Sequence, residues 1–211
     1  MIVLRALSAL LSYPRDDLRQ ALPEIADAIH NSPLVATRER DGLMALIEEL
    51  AAGDLLETEE RYVELFDRGR ATSLHLFEHL HGESRDRGDA MVELKRLYEH
   101  AGFELSTGEL PDYLPVVLEY LSCRDLAEAR GVLSDCAHLL KAIARALMTR
   151  NSAYASVMQA LLVIAGEAPV DIQSVRRVYE SVENLDRDWF EEPAFGDGIP
   201  TGGRPAPNAS R

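Results

Sequence analysis

Apolar side chains recur every three or four residues along most of this 211-residue chain. That spacing places them on one face of an α-helix, so each stripe predicts a helix with one side turned toward a shared core. No segment alternates apolar and polar residues as a half-buried strand does, and the predicted fold class is therefore all-α, a single-domain helical bundle. The stripes are Leu4, Leu7 and Leu11; Leu18, Leu22, Ile25 and Ile29; Leu43, Leu46, Ile47 and Leu50; Tyr62, Leu65 and Phe66; Leu94, Leu97, Tyr98 and Ala101; Leu114, Val117, Leu118 and Leu121; and Tyr154, Val157, Met158 and Leu161.

The longest stripe runs from Leu126 to Leu147 and predicts a two-sided seam in the bundle. A shorter helix is expected to begin at Ser73 as its N-cap and to reach His81, where Gly82 stops it. A last helix is expected between Ile172 and Leu185. The helical domain would span residues 1–192, and the Gly- and Pro-rich residues 193–211 are expected to form a disordered tail.

The formal net charge is −14. Nucleic acid and anionic membranes are disfavoured as partners, because both require concentrated Lys and Arg. An acidic surface suits a basic peptide, although the charge could also serve solubility alone. The N-terminal apolar stretch is short and interrupted by Arg5, so it predicts a core helix and neither a signal peptide nor a membrane span. Cys123 and Cys136 match no metal or disulfide pattern, and a cytoplasmic location is expected.

One motif raises the possibility of metal chemistry. His75, Glu78 and His79 match the H-x-x-E-H pattern of inverted zinc peptidases, in which two His one helical turn apart hold zinc and the Glu acts as base. No third ligand can be identified, and the sheet scaffold of such peptidases is missing. The alternative is a polar helix face that meets solvent or a partner, and that hypothesis fits the chain better. No intrinsic cofactor, metal or catalytic group is therefore expected.

The segment ELPDYLP at residues 109–115 opens another predicted helix. Asp112 stands at the helix start, where a carboxylate is favoured, and Tyr113 and Tyr120 follow on a stripe beside the core stripe. Such a helix could be buried on both sides, or it could present an aromatic and acidic lip over an apolar groove. A groove of that kind would accept an amphipathic helix with basic residues.

Three segments resemble the NarJ family, the assembly chaperones of respiratory nitrate reductase, which is related to the wider TorD/DmsD group. They are YVELFD at residues 62–67, SLHLFEHLHGESRDRGDAM at residues 73–91, and ELPDYLP at residues 109–115. The resemblance implies a TorD-like helical fold and a protein that is not an enzyme. It also implies binding of the basic N-terminal segment of the nitrate reductase catalytic (alpha) subunit, which is kept competent for molybdenum cofactor insertion and membrane assembly.

In the wider group a Glu-Pro-Asp-His motif lines the peptide groove. Here the corresponding positions are Leu110, Pro111, Asp112 and Tyr113, so a tyrosine replaces the histidine, and the glutamate of the motif is either shifted to Glu109 or replaced. A helical adaptor with some other partner is the remaining alternative. The residues expected to face the peptide are Tyr62, Phe66, Glu109, Asp112, Tyr113 and Glu119, followed by His75, His79, Arg85 and Arg87.

Overall fold

Helices account for the architecture, which is described by a computed structural model covering residues 1–81, 85–105, 108–171, 173 and 175, without the side chains of residues 80, 81, 85 and 86. The fold class is all-α, as predicted, and the described residues contain one isolated β-bridge but no strand. In chain order the helices are α1 (Ile2–Leu11), α2 (Asp16–His30), α3 (Thr37–Ala52), α4 (Leu55–Tyr62), α5 (Leu76–His81), α6 (Arg85–His100), α7 (Leu114–Ser122), α8 (Leu126–Asp135), α9 (Ala137–Thr149) and α10 (Ala155–Ala165).

The core forms where the predicted stripes face each other. Helix α1 packs against α2 and α7, and α10 packs against α3, α8 and α9. Helices α1 and α10 also touch, which joins the two groups into one core within residues 1–175. Leu7 and Leu118 have no exposed surface, and burying a side chain of that size contributes about 1.5–3 kcal/mol. The predicted tail and most of the predicted last helix lie outside the described residues.

The longest stripe does not form one helix. Cys136 separates α8 from α9, with backbone angles of φ −87° and ψ 0° that leave the helical region. Gly131, Ser134 and Asp135 precede the break and are all weak helix formers. Both resulting helices pack on α10, so the break lets the two halves follow the same partner.

The chain changes its helical pitch after α4. Val63–Asp67 forms a π-helix, whose wider turn carries the buried Leu65 and Phe66. A 3-10 turn at Arg70–Thr72 follows, and Gly69 lies between the two. A Cβ atom on Gly69 would lie 2.6 Å from the Leu65 carbonyl oxygen, so a larger residue does not fit there without movement. This tight turn connects the π-helix to the segment that precedes α5.

None of the helices formed by the described residues is both long enough and apolar enough to cross a membrane.

Candidate functional site

Two of the segments that carry the resemblance lie side by side. We call residues 73–79 the His75 segment and residues 109–115 the Asp112 segment. His75 and Tyr113 form an isolated antiparallel bridge between them. Two backbone hydrogen bonds close the pair: Leu76 N–H donates to the Asp112 carbonyl at 3.1 Å, and Leu114 N–H donates to the Leu74 carbonyl at 2.8 Å. The start of α5 and the start of α7 are therefore fixed to each other.

Asp112 is the central side chain of this junction. It has no exposed surface, and its Oδ2 accepts a hydrogen bond from the Phe77 N–H at 3.0 Å. Its Oδ1 lies 3.4 Å from Nδ1 of His75, whose side chain is one-third exposed. A buried carboxylate requires such partners, and the first turn of a helix offers N–H groups that have no partner within the helix. Asp112 thus caps α5 from a distant part of the chain.

Ser73 organises the other side of the His75 segment. Its hydroxyl donates to Oε2 of Glu78 at 2.6 Å, and its carbonyl oxygen lies 2.9 Å from Nε2 of His79. Arg87 from α6 reaches Oε1 of Glu78 at 3.5 Å. An N-cap at Ser73 predicts a first helical residue at position 74, whereas the helix begins two residues later, at Leu76. The Ser73 hydroxyl accepts a hydrogen bond from the His75 N–H at 3.3 Å, ahead of the helix, and Asp112 caps the helix itself.

This arrangement does not support the zinc hypothesis. The imidazole of His75 faces Asp112, and that of His79 faces the Ser73 carbonyl, so each ring has its own protein partner. Within the described part of the chain, no three His, Cys, Asp or Glu residues are grouped so that they could hold a metal ion.

A tyrosine cluster lies under the junction. The hydroxyls of Tyr113 and Tyr62 are 2.9 Å apart, and the Tyr62 hydroxyl donates to the Leu11 carbonyl at 2.7 Å. The ring of Tyr62 packs on Phe66 with centroids 4.8 Å apart, and Phe66 packs edge-on against Tyr154 at 5.0 Å. Burial, followed by the neighbouring Tyr113, strongly raises the pKa of Tyr62, so this hydroxyl stays protonated. The cluster joins α1, α4 and α10 to the Asp112 segment.

Beside this cluster opens a cavity of about 530 Å³, which we call the tyrosine cavity. It lies where α1 ends, α2 begins and the Asp112 segment passes. The lining residues are Ala9, Ser12, Tyr13, Arg15, Asp17, Leu18, Ala21, Glu109 and Tyr113. The walls therefore combine aromatic rings, small apolar side chains, two carboxylates and one guanidinium.

Burial and neighbouring carboxylates both act on the two tyrosines of the tyrosine cavity. Desolvation and the carboxylate of Glu59 raise the pKa of Tyr13, and Arg15 partly opposes them. Burial raises the pKa of Tyr113 against an opposing hydrogen bond from Tyr62, and Asp67 and Glu109 raise it further. A cation entering the cavity would be attracted by the same carboxylates that disfavour tyrosinate there.

The described residues that are predicted to face a peptide occupy four different environments. Glu109 and Tyr113 line the tyrosine cavity, and Tyr62, Phe66 and Asp112 are buried behind it. His75, His79 and Arg87 are partly buried in the junction. Glu119 is exposed on α7 and does not line the cavity, and the side chain of Arg85 lies outside the described residues. Contact of any of them with a peptide stays a prediction, and for the buried three it would require the surrounding segments to separate.

Sequence reasoning missed the α1–α2 side of the cavity. Tyr13 follows the first apolar stripe, and Asp17 and Ala21 lie outside the core stripe of α2, so the apolar pattern does not single them out. An available signal was the Tyr-Pro dipeptide followed by two aspartates, which places an aromatic ring next to carboxylates at a helix start.

Comparison with known proteins points to the same family as the three segments described above. The family model described as nitrate reductase delta subunit matches residues 14–159. The nitrate reductase molybdenum cofactor assembly chaperone NarJ of Escherichia coli strain K12 is 41% identical over 197 residues, covering 91% of this chain and 84% of the relative.

Two further relatives carry the same description with the word probable. NarW of Escherichia coli strain K12 is 38% identical and covers 91% of this chain and 82% of its own length. NarJ of Bacillus subtilis strain 168 is 34% identical and covers 76% of this chain and 86% of its own length. Because the family model spans most of the chain and these relatives are aligned over most of their own length, the chain belongs to the nitrate reductase delta subunit family, together with the NarJ proteins.

Proposed function

We propose that this protein is a molybdenum cofactor assembly chaperone for nitrate reductase. It binds the basic N-terminal segment of the catalytic (alpha) subunit and keeps the apo-subunit competent for cofactor insertion and for assembly at the membrane. The names of the relatives support the chaperone role, since three relatives aligned over most of their length are described as assembly chaperones of this enzyme. The work of the protein is to hold a polypeptide in the cytoplasm, with no cofactor of its own.

The observation that carries the proposal is the chemistry of the tyrosine cavity. Tyr13 and Tyr113 offer aromatic surface beside the carboxylates of Asp17 and Glu109. Lys and Arg side chains bind well against aromatic faces near carboxylates, where cation–π attraction of about 0.5–2 kcal/mol adds to the ion pair. Ala9, Leu18 and Ala21 provide the apolar floor on which an amphipathic helix can lay its other face.

Net charge favours the same partner at longer range. With a formal charge of −14, the protein attracts a basic segment and repels acidic ones before contact. Arg15 stands at the rim of the cavity and would repel a cation placed next to it. It therefore restricts where along the rim the basic residues of the peptide can lie.

Buried Asp112 and Tyr62 can affect peptide binding without touching the peptide, because they hold the residues that line the tyrosine cavity. Asp112 fixes the Asp112 segment to α5, and Tyr62 fixes the hydroxyl of Tyr113. Both residues thus determine where Tyr113 and Glu109 stand at the cavity. We assign Asp112 and Tyr62 a positioning role and assign Tyr113 and Glu109 the contact with the peptide.

The test is calorimetric titration with a synthetic peptide that copies the N-terminal segment of the nitrate reductase catalytic subunit. We expect 1:1 binding that weakens as salt rises, because the carboxylate contacts are screened. Glu109→Gln should weaken binding by roughly 3- to 10-fold. The control is Glu48→Gln, which neutralises an exposed carboxylate on α3 that does not line the tyrosine cavity. No binding to the wild-type protein, or equal affinity for both variants, would contradict the proposal.

A further inference from the structure

The tyrosine cavity lies at one end of a helical hairpin, and a second cavity lies at the other end. Helices α1 and α2 pair in antiparallel fashion through a turn at residues 12–15. The second cavity, of about 680 Å³, opens where α1 begins and α2 ends. Its lining includes Ile2, Glu24, Asp27, Ala28 and Asn31.

A single face of α2 connects the two cavities. Asp17, Ala21, Glu24, Ala28 and Asn31 follow each other alternately four and three residues apart, so they form one continuous stripe along the helix. The first two line the tyrosine cavity and the other three line the second cavity. The core stripe of α2 points into the bundle, and Leu18 at its start also borders the tyrosine cavity.

Helix α1 supplies the facing wall in matching register. Ala9 lines the tyrosine cavity together with Ala21, and Ile2 lines the second cavity together with Ala28. This is the pairing expected when two neighbouring helices run in opposite directions. Arg5 lies between Ile2 and Ala9 on this exposed side of α1, so the wall carries a cation at mid-length. We call the surface between these two helix faces the hairpin furrow.

The hairpin furrow has an apolar floor and an acidic edge. Ala21 and Ala28 keep the floor low, and Ile2 leaves 73% of its surface exposed beside them. Glu24 and Asp27 line the second cavity, as Asp17 and Glu109 line the tyrosine cavity, so both cavities carry acidic side chains. A basic amphipathic segment therefore meets complementary chemistry at both ends.

We propose that the hairpin furrow is one continuous groove that takes a basic amphipathic helix from the tyrosine cavity to the second cavity. The stripe from Asp17 to Asn31 spans 15 residues, which is about 21 Å between its ends at the rise of an α-helix. A bound helix of about 14 residues, or four turns, would span it. This inference rests on the proposed function, because the occupant is the N-terminal segment of the catalytic subunit. It assigns to that segment a minimum length and a second contact region.

The bound helix must also satisfy Arg5. A peptide with an acidic or polar residue near its midpoint and basic residues toward both ends matches the carboxylates at each cavity and the guanidinium of Arg5 between them. Arg15, which also lines the tyrosine cavity, restricts the basic residues at that end to positions beside Asp17 and Glu109. Cations steered to the ends and excluded from the middle fix the register of the helix in the groove. This pattern is a specificity rule that net charge alone does not give.

The experiment compares two peptides of the client's N-terminal sequence, one of about 18 residues that can span the furrow and one of about 8 residues that can fill only the tyrosine cavity. Ala28→Arg places bulk and positive charge in the second cavity, and Glu24→Gln removes one carboxylate with little effect on folding. We expect Ala28→Arg to weaken the long peptide about tenfold and Glu24→Gln about threefold, with the short peptide unchanged. Ala45→Arg, at an exposed position of α3 that does not line either cavity, is the matched control.

The outcomes separate this inference from the proposed function. If the long peptide binds the wild-type protein and both furrow variants equally well, the second cavity is not part of the site and the inference falls, while the proposed function stands. If neither peptide binds the wild-type protein, the proposed function falls first. Sedimentation of the free protein tests a different occupant: a dimer that Ala28→Arg converts to a monomer without loss of peptide affinity would make the furrow a self-interface and overturn the inference.

Discussion

The carboxylate of Asp112 accepts a hydrogen bond from the backbone N–H of Phe77 across 3.0 Å, although 35 positions separate the two residues. The contact joins the start of α7 to the start of α5 and leaves no part of the Asp112 side chain exposed. Because Tyr113 is the next residue, the same bond helps to set the wall of the tyrosine cavity. Fold and candidate site are thus coupled through one buried carboxylate.

Removal of that carboxylate should cost stability and binding together. We expect Asp112→Ala to lower the free energy of unfolding by about 1–3 kcal/mol, since it leaves the Phe77 N–H without its cap. Asp112→Asn keeps an oxygen for that N–H and should lie between the wild-type protein and the alanine variant. Urea denaturation measures the stability, and peptide calorimetry measures the affinity. An alanine variant with wild-type stability would show that the cap is not needed.

The paired hydroxyls of Tyr62 and Tyr113 should be energetically coupled. A double-mutant cycle with Tyr62→Phe and Tyr113→Phe is expected to give a coupling of about 0.5–1.5 kcal/mol. Tyr62→Phe should be the costlier single change, because it also removes the bond to the Leu11 carbonyl. Tyr154→Phe is the control, since the buried Tyr154 hydroxyl has no hydrogen-bond partner among the described residues and its loss should be neutral or stabilising. Additive effects of the two single changes would argue against the pairing.

Buried tyrosines should make the fold sensitive to alkali. Burial raises the pKa of Tyr62, Tyr98 and Tyr154 above the ordinary value of 10.0. In the unfolded chain these groups lose their protons near that value, whereas in the folded chain they keep them. Unfolding therefore releases protons, and the free energy of unfolding should fall as pH rises above 10.0. Urea denaturation at pH values below and above 10.0 measures this change. The Tyr154→Phe variant should lose less free energy of unfolding over the same pH range than the wild-type protein, because it has one buried tyrosine fewer. A pH-independent stability across that range would contradict it.

Two glycines should respond to alanine in opposite directions. Gly69→Ala pushes a methyl group against the Leu65 carbonyl, and we expect a loss of about 1–3 kcal/mol. Gly131 lies in the exposed interior of α8 with no atom within 4 Å of a new Cβ. Gly131→Ala should therefore stabilise the protein by about 0.5–1 kcal/mol. Thermal or urea unfolding of the two variants gives the comparison, and a stable Gly69→Ala protein would show that the turn can relax.

The two thiols should react at different rates. Cys123 is exposed, whereas burial, aided by Asp135, raises the pKa of Cys136 and so reduces its thiolate fraction. With a thiol reagent near neutral pH we expect one fast and one slow equivalent, separated by roughly tenfold or more in rate. The fast phase should disappear in Cys123→Ser and persist in Cys136→Ser. A single rate for both thiols would contradict the burial of Cys136.

The fold class was predictable because helical periodicity is local. Leu18, Leu22, Ile25 and Ile29 had to share a side of any helix they formed, and all four are buried. The break at Cys136 was not predictable from the same stripe. Weak helix formers lower the cost of a break, but its position depends on how α8 and α9 both follow α10.

Residue spacing and composition were enough to predict the helices, their apolar faces and the acidic charge, and three segments were enough to predict the family. The sequence also predicted that Tyr113 and Glu109 face a peptide, and both line the tyrosine cavity. The burial of Asp112 and the placement of Tyr13 and Tyr113 around one cavity depend on the packed helices, because a residue's exposure depends on what another part of the chain places over it. Local spacing fixes which residues share a helix face, whereas contacts between residues far apart in the chain decide which faces become a core and which remain open to a partner.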